Sequence, residues 1–371
     1  MLNSFQMDYQ RRQTEIQNAL ARNHLHALLI SALPNLRYLC GFTGTAGALL
    51  ITEKRSLFFS DGRYLSQARE EVKGSRVVIA QLPPLAAAAG WIGANLKLLA
   101  GGRRWKIGIE GEHLSVAARS RLERSLPSGC RLRQAPPLVE RLRMVKDPEE
   151  LDSIRAAARL GAGLFEVVLK TIRPGLKETE VAAEIEYAAH RAGSPGMSFP
   201  TIIAAGKRSA LPHGRASSAR IPARGFVVCD FGVILTGYCS DMTRTVHLGR
   251  PSEAQREAYQ AVRRAQQASM AAVRPGVSVG EVDLAGRKLL KKEGLARYFT
   301  HSTGHGVGLE IHEVPRIAAG QTEVLQAGMV ITIEPGIYLP GQWGVRIEDM
   351  VLVTGSGCEV LASTSTELIT I

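Results

Sequence analysis

The 371-residue chain is 45% hydrophobic and 22% charged, ordinary values for a globular protein long enough to hold two cores. No apolar run approaches the roughly 20 residues that span a bilayer. Residues 1–17, MLNSFQMDYQRRQTEIQ, lack the apolar centre of a secretory leader, which predicts a cytoplasmic protein with no membrane partner. The net charge of +12 raises the question of nucleic acid, but no aromatic residue interleaves with the arginines between Arg119 and Lys146. A single-strand stacking platform needs such aromatics, so the basic stretch reads as a solvated surface and argues against a nucleic-acid partner. Five cysteines without clustered spacing fit a reducing compartment.

Residues 1–135 predict an α/β domain. A helical stretch, Asp8 to Asn23, leads to an apolar strand, Leu25 to Ile30. NLRYLCGFTG (35–44) and a strand at Ala48 to Thr52 follow. SLFFSDGRYLSQARE (56–70) reads as a strand running through a turn into a helix. Strands at 77–80 and 106–110 flank an alanine-rich helix near 85–100, giving the alternation of an α/β layer. The glycines of GFTGTAG (41–47) lack the strand–GxGxxG–helix setting of a dinucleotide loop. Neither a GxxxxGK[ST] phosphate loop nor a GxSxG nucleophile elbow occurs.

A linker is predicted over 136–147, where Pro136-Pro137 interrupts regular structure. Asp147-Pro148-Glu149-Glu150 then opens a helix, with aspartate as the cap and proline in the first turn. Apolar residues at 151, 154, 157, 158, 161, 164, 165 and 168 carry it to about Thr171 with helical period.

From 148 to 371 the chain repeats itself. Arg173-Pro174-Gly175 and Arg274-Pro275-Gly276 each end one helix, and Glu180-Val181 and Glu281-Val282 each open the next. Each half then carries histidines: His213 in the first, and His301, His305 and His312 in the second. Each closes on a strand pair bearing two acids, Asp230 with Asp241 and Glu334 with Glu348. In the first pair, FVVCDFGVILTGYCSDMTRTVHLG (226–249), Thr236-Gly237 marks a two-residue turn. With an even-numbered loop, positions 230 and 241 fall on one face of the hairpin. The order helix, RPG, helix, histidine, acidic hairpin predicts a pseudo-twofold domain with the two hairpins facing a shared site.

Four carboxylates cannot share a pocket at neutral pH without cations, and two divalent ions account for the set. Carboxylate and imidazole ligands suit manganese, cobalt, zinc or iron better than a soft metal. Cys229 and Cys239 flank the aspartates and read as small core residues rather than ligands. His24, His26, His113, His190 and His247 fall in no motif and receive no role.

At these residues the sequence resembles the pita-bread metallopeptidases of family M24. The matching motifs are DFGVILTGYCSDMTRT (230–245), HSTGHGVGLEIHE (301–313), ITIEPGIY (331–338) and GVRIED (344–349). NLRYLCGFTG and SDGRYLSQA resemble the N-terminal domain shared by aminopeptidase P, prolidase and creatinase, and RMVKDPEEL (143–151) resembles their junction. Methionine aminopeptidases lack that domain, and creatinase lacks the ligand set, so the Xaa-Pro peptidases are the nearer branch. The resemblance implies an α+β, two-domain chain: a creatinase-like domain over 1–135, then a pita-bread catalytic domain over 148–371.

It also implies the site. Asp241 and Glu348 would bridge two divalent ions, manganese foremost. Asp230 would hold one ion, and His305 with Glu334 the other. Water activated between them would attack the scissile carbonyl, with Glu334 as proton shuttle. His213 and His312 would contact the substrate and the tetrahedral intermediate, His301 would lie on the substrate side, and Arg346 would orient a carboxylate or the substrate. Apart from any motif, the region of Tyr338 and Trp343 offers aromatic side chains that could line a proline pocket. The expected activity is cleavage of peptides with proline second, as an Xaa-Pro aminopeptidase, with Xaa-Pro dipeptidase as the alternative. A catalytically silent binding protein for nucleic acid or protein is the rival of another class. A homodimer is expected.

Overall fold

The computed structural model describes residues 7–100, 104–362 and 364–371. The chain divides into two compact units, with the boundary between Arg143 and Met144.

In the first unit, α1 (Tyr9–Arg22), β1 (Ala27–Ile30), α2 (Leu33–Cys40), β2 (Ala48–Thr52), β3 (Ser56–Asp61), α3 (Leu65–Glu71), β4 (Arg76–Ala80), α4 (Pro84–Ala100), β5 (Trp105–Ile109), α5 (Val116–Ser125) and β6 (Cys130–Gln134) follow the predicted alternation. The strands form one six-stranded sheet in the order β4-β3-β2-β1-β5-β6. Only the β1–β2 and β2–β3 pairs are antiparallel. Its core joins Leu29, Leu50, Phe59 and Ile107 of the sheet to Ala88 and Ile92 of α4. Gly41, in the GFTGTAG run, caps α2 in the left-handed conformation at φ +83°, which explains that glycine without any ligand. The predicted linker contains a helix, α6 (Leu138–Met144), so Pro136-Pro137 introduces regular structure there instead of ending it.

The second unit opens with α7 (Pro148–Thr171). Asp147 accepts from the Glu150 N–H, and Glu150 accepts from that of Asp147, a capping box that fixes where the helix starts. The repeat is then visible in the backbone. α7 and α8 (Glu178–Arg191) are joined through Gly175 at φ +87°, and α9 (Glu253–Ala272) and α10 (Val279–Lys292) through Gly276 at φ +86°. In both halves the residue before the second helix bridges to a later strand-like segment, Lys177 to Arg220 and Ser278 to Val324.

The first half supplies β7 (Gly196–Met197), β8 (Ile202–Ala205), β9 (Gly225–Phe231), β10 (Val233–Leu235), β11 (Tyr238–Cys239) and β12 (Met242–Leu248). The second supplies β13 (Gly304–Gly306), β14 (Glu313–Ile317), β15 (Val330–Ile333), β16 (Gly336–Leu339), β17 (Trp343–Arg346), β18 (Asp349–Val353) and β19 (Cys358–Val360).

The predicted hairpin 226–249 keeps one register from end to end but is split between two sheets. β9 pairs with β12, Asp230 opposite Thr243, while β10 pairs with β11 across Thr236 and Gly237, both at positive φ. The break falls at Gly232, where a Cβ would lie 1.8 Å from the Ser240 carbonyl oxygen. The second hairpin is broken in the same way: β15 pairs with β18, and β16 with β17.

The faces alternate as the period of two demands. Val227, Cys229 and Phe231 pack with Leu164, Val168, Val181 and Ile185 of α7 and α8. Ile331, Ile333, Val351 and Val353 pack with Val279 and Val282 of α10. The acids lie on the opposite faces, so the helices cover the hairpins from outside and leave the carboxylates turned inward.

Candidate metal centre and active site

Each acid sits at a break in its hairpin. Asp230 is the next-to-last residue of β9, and Asp241 falls between β11 and β12, opposite the side-chain-free Gly232. Glu334 directly follows β15 and Glu348 directly precedes β18, so the register sets them opposite each other. The two hairpins are joined by a backbone bridge, Thr243 to Glu348, where the Glu348 N–H donates to the Thr243 carbonyl at 3.1 Å. This bridge brings the four acids together. His305 enters on β13, which pairs with β15 and is bulged between His305 and Gly306.

Ligand atoms of Asp241, His305 and Glu348 lie within 4.8 Å of one another. His305 Nε2 is 3.6 Å from Asp241 Oδ2 and 3.6 Å from Glu334 Oε1. The other ring nitrogen, Nδ1, lies 3.0 Å from the Gly306 carbonyl; with Nδ1–H donating there, the Nε2 lone pair faces the acids. Burial pushes the His305 pKa down to about 4, keeping the ring neutral and ligand-ready at neutral pH.

The carboxylates themselves test whether cations fit. Asp230 Oδ1, Asp241 Oδ1 and Glu348 Oε1 are buried with no hydrogen-bond partner. Orphaned buried oxygens of this kind are costly unless a cation meets them. Burial, then the charges of Glu348, Asp230 and Glu334, lifts Asp241 well above the usual carboxylate range. Burial, with Glu334 and Asp230 beside it, does the same to Glu348. Glu334 is pushed up to about 8, again chiefly by burial. These residues fit divalent ions by donor type, by proximity and by their unmet hydrogen-bonding capacity.

Asp230 differs from the others because Arg346 Nη2 donates to its Oδ2. The same guanidinium donates from Nε to Thr243 Oγ1 at 3.1 Å, and Thr243 in turn donates to Glu348 Oε2 at 2.7 Å. Arg346 thus orients one acid directly and a second through a hydroxyl.

The nine residues named as metal ligands, catalytic groups or substrate contacts border one cleft of about 700 Å³: His213, Asp230, Asp241, His301, His305, His312, Glu334, Arg346 and Glu348. The ring centroids of His305 and His312 are 4.4 Å apart. His301 is less free than expected. Its Nδ1 faces the Ser302 carbonyl at 2.8 Å and its Nε2 the Tyr338 hydroxyl at 2.9 Å, so it offers the cleft its carbon edge. Arg346 Nη1 donates to that hydroxyl at 2.7 Å, which leaves the Tyr338 O–H to donate to His301.

Tyr338 and Trp343 are the aromatic candidates for the proline pocket, and the structure corrects both. Tyr338 is buried behind His301, while Trp343 packs edge-on against Phe226. The apolar wall of the cleft is instead Phe199, Pro200, Ile202, Ile311 and Val314. Cys229 lies in the helix-facing core as expected, and His247 is a core residue bonded to the Gly249 carbonyl.

Two supports escaped the sequence reading. Thr243 is the link between the hairpins. Arg244, buried beside it, donates to the Glu348 carbonyl at 2.6 Å and to Asp349 Oδ1 at 2.6 Å. The available signal was an arginine within a predicted hairpin strand, between two threonines, a residue that is almost never buried without a partner.

Comparison with known proteins agrees with this construction. Residues 152–355 match the model of metallopeptidase family M24, and residues 12–145 that of the creatinase/prolidase N-terminal domain. An Xaa-Pro dipeptidase of Pyrococcus horikoshii is 37% identical over 361 residues, covering 94% of this chain and 95% of that protein. The solved Xaa-Pro dipeptidase of Bacillus anthracis superposes with a TM-score of 0.92 at 37% identity, covering 98% of this chain and all of the other. An X-Pro aminopeptidase of Thermotoga maritima superposes at 0.87 with 32% identity, over 97% of this chain and 99% of that one. The expected architecture, a creatinase-type domain followed by a pita-bread catalytic domain, is therefore the observed one. Four inward carboxylates and an imidazole on that fold make the chain a hydrolase of metallopeptidase family M24.

Proposed function

We propose that this enzyme is an Xaa-Pro dipeptidase, cleaving the bond before a carboxy-terminal proline. The sequence alone leaned towards an aminopeptidase acting on longer peptides; the relatives named Xaa-Pro dipeptidase and the contents of the cleft favour the shorter substrate. One observation carries the choice. Arg215 and Arg316 are exposed, line the same cleft as the acids, and make no side-chain hydrogen bond or ion pair among the described residues. A dipeptide presents its free carboxylate one residue beyond the scissile carbonyl, and guanidinium groups suit it. An aminopeptidase has no carboxylate to place there.

Asp230, Asp241, His305, Glu334 and Glu348 would hold the divalent ions, of which we propose two, with manganese first. Such ions lower the pKa of water so that hydroxide is available near neutral pH. The protein's own groups do the rest. Glu334, its side chain 16% exposed against 6% for Asp241, is the more accessible acid and the one placed to carry a proton to the departing nitrogen. His213 and His312, on opposite segments of the cleft, would donate to the carbonyl oxygen as it gains charge. The apolar wall would receive the proline ring. The Xaa-Pro bond has no N–H, so that wall leaves no donor unpaired, whereas an Xaa-Ala bond would bring one.

The test compares Ala-Pro, Ala-Pro-amide, Ala-Pro-Ala and Ala-Ala with manganese supplied. We expect Ala-Pro to be the best substrate, with the amide and tripeptide at least about tenfold poorer in kcat/KM, the worth of one charged contact. Equal rates on Ala-Pro and Ala-Pro-Ala would return the enzyme to the aminopeptidases. The homodimer also stands as a proposal, for light scattering to decide. No helix among the described residues is long and apolar enough to cross a membrane.

A further inference from the structure

The segment 206–217 carries Pro212, His213 and Arg215 to the cleft, and it is almost free of regular structure. A short helical turn at Gly206–Ala210 is its only element. A surface loop of this kind would ordinarily sample several arrangements, yet catalysis by His213 needs one. Both ends of the segment are held by a single carboxylate. Glu178, the first residue of α8, has a relative exposure of 0%. Its Oε1 accepts from the Ala205 N–H at 2.9 Å, where β8 ends and the segment begins. Its Oε2 accepts from the Ser217 N–H at 3.1 Å and the Ser217 hydroxyl at 2.7 Å, where the segment closes. Arg208, within the segment, donates Nε to both oxygens, at 3.1 and 2.9 Å. From the other side, Arg346 Nη1 donates to the Pro212 carbonyl at 2.9 Å, one residue before His213.

The pseudo-twofold repeat supplies a built-in control. The residue corresponding to Glu178 is Val279, also the first of its helix. Its N–H donates to the Glu323 carbonyl at 2.9 Å, as that of Glu178 donates to the Ala219 carbonyl at 3.0 Å. The backbone docking is thus common to both halves. Val279, however, is buried in an apolar core, and the corresponding loop of the second half, which carries Ile311, His312 and Arg316 to the cleft, is held by the pairing of β14 with β13. The first half, which has no such strand pairing, holds its loop through the Glu178 carboxylate. Helix docking alone does not require it.

We infer that Glu178 is a positioning residue, whose carboxylate clamps the 206–217 segment so that His213 meets the reacting carbonyl. This rests on the peptidase reading above for its effect on turnover, but not for its effect on the loop. The experiment is a double-mutant cycle of Glu178→Gln and His213→Ala on the manganese-loaded enzyme with Ala-Pro, run beside trypsin cleavage of the metal-free protein after Arg215. Glutamine keeps the shape but turns one acceptor into a donor facing N–H groups. We expect Glu178→Gln alone to lower kcat about 10- to 100-fold with KM within about threefold. In the His213→Ala background it should lower kcat no more than about twofold, because the group it positions is gone. Cleavage after Arg215 should speed up at least about tenfold as the loop opens. Equal effects of Glu178→Gln in both backgrounds, or an unchanged cleavage rate, would overturn the assignment. Should the unmutated protein fail to cleave Ala-Pro, the dipeptidase reading falls by itself and the trypsin rate decides the clamp. A Glu178→Gln protein that does not fold is replaced by Arg208→Gln, for which the same outcomes apply.

Discussion

Asp230 and Asp241 occupy one face of one hairpin, eleven positions apart, yet they have opposite electrostatic surroundings. Asp230 has a buried guanidinium against one oxygen. Asp241 has no cation in contact: the charges of Glu348, Asp230 and Glu334 outweigh the more distant Arg346, and the imidazole 3.6 Å away is neutral. The pocket therefore holds one acid whose charge the protein compensates itself and others whose charge only a ligand can compensate. A metal site so built is stable as a fold only because part of its charge is neutralised internally, and binds cations because part is not.

The largest effect should come from breaking the uncompensated side. Asp241→Asn is predicted to abolish metal binding and lower kcat/KM by at least about 10³-fold, the scale of losing a group that acts as part of a unit. The same change should raise the stability of the metal-free protein by on the order of 1 kcal/mol, because it removes one of several crowded charges. Calorimetry of metal-free and metal-loaded protein reads both, and a metal-free protein made less stable would contradict the comparison.

Asp230→Asn should do the reverse to stability. It strips Arg346 of its main partner and leaves a buried guanidinium, a loss of about 3 kcal/mol from the metal-free protein. Activity should fall about 10²-fold or more, with residual metal bound at the other position. The opposite signs of the two isosteric changes are the sharpest check, and chemical denaturation of the metal-free variants provides it.

Acidity offers a third test. A carboxyl whose folded pKa lies above its unfolded value holds its proton more tightly when folded, so stability falls as pH rises towards the folded value. Glu334 stands at about 8, while His305 ordinarily titrates at 6.5 and is pushed down to about 4. Above 6.5 the imidazole is neutral in both states, so between there and 8 the metal-free protein should lose stability through its acids. Added manganese should remove that loss, and its stabilising shift in Tm should be several degrees larger at the upper end of the window. A shift independent of pH there would deny the acids their raised affinity for protons.

The smallest effect belongs to Tyr338→Phe. The hydroxyl links Arg346 to His301 but touches no acid, so removing it frees His301 Nε2 and leaves the metals in place. Turnover should fall about 3- to 10-fold with metal content unchanged, the worth of one buried hydrogen bond. Metal analysis beside steady-state kinetics separates this from loss of the centre.

Much of the site was legible because it is written locally. Alternation along 226–249 placed Asp230 and Asp241 on one face, and the turn at Thr236-Gly237 set a register that the structure keeps. The recurrence of Arg-Pro-Gly and of paired acids announced the second hairpin. The split of the first hairpin into two sheets was not legible, because it falls at the close approach of Gly232 to the Ser240 carbonyl. Nor was the position of the apolar wall: Tyr338 and Trp343 drew attention as aromatic residues beside a motif, but burial took one behind His301 and the other into the core against Phe226.

The sequence by itself thus determined the ligand types, the faces on which they stand, the helix starts and the twofold repeat, all of which follow from spacings shorter than a hairpin or from a repeated pattern. The tertiary structure alone decided which acid receives a counter-charge. Arg346 reaches Asp230 across 116 residues of chain, and Thr243 reaches Glu348 across 105. Those contacts arise where the two hairpins meet edge to edge. Their meeting is set by the packing of helices outside the sheets, which local spacing does not encode.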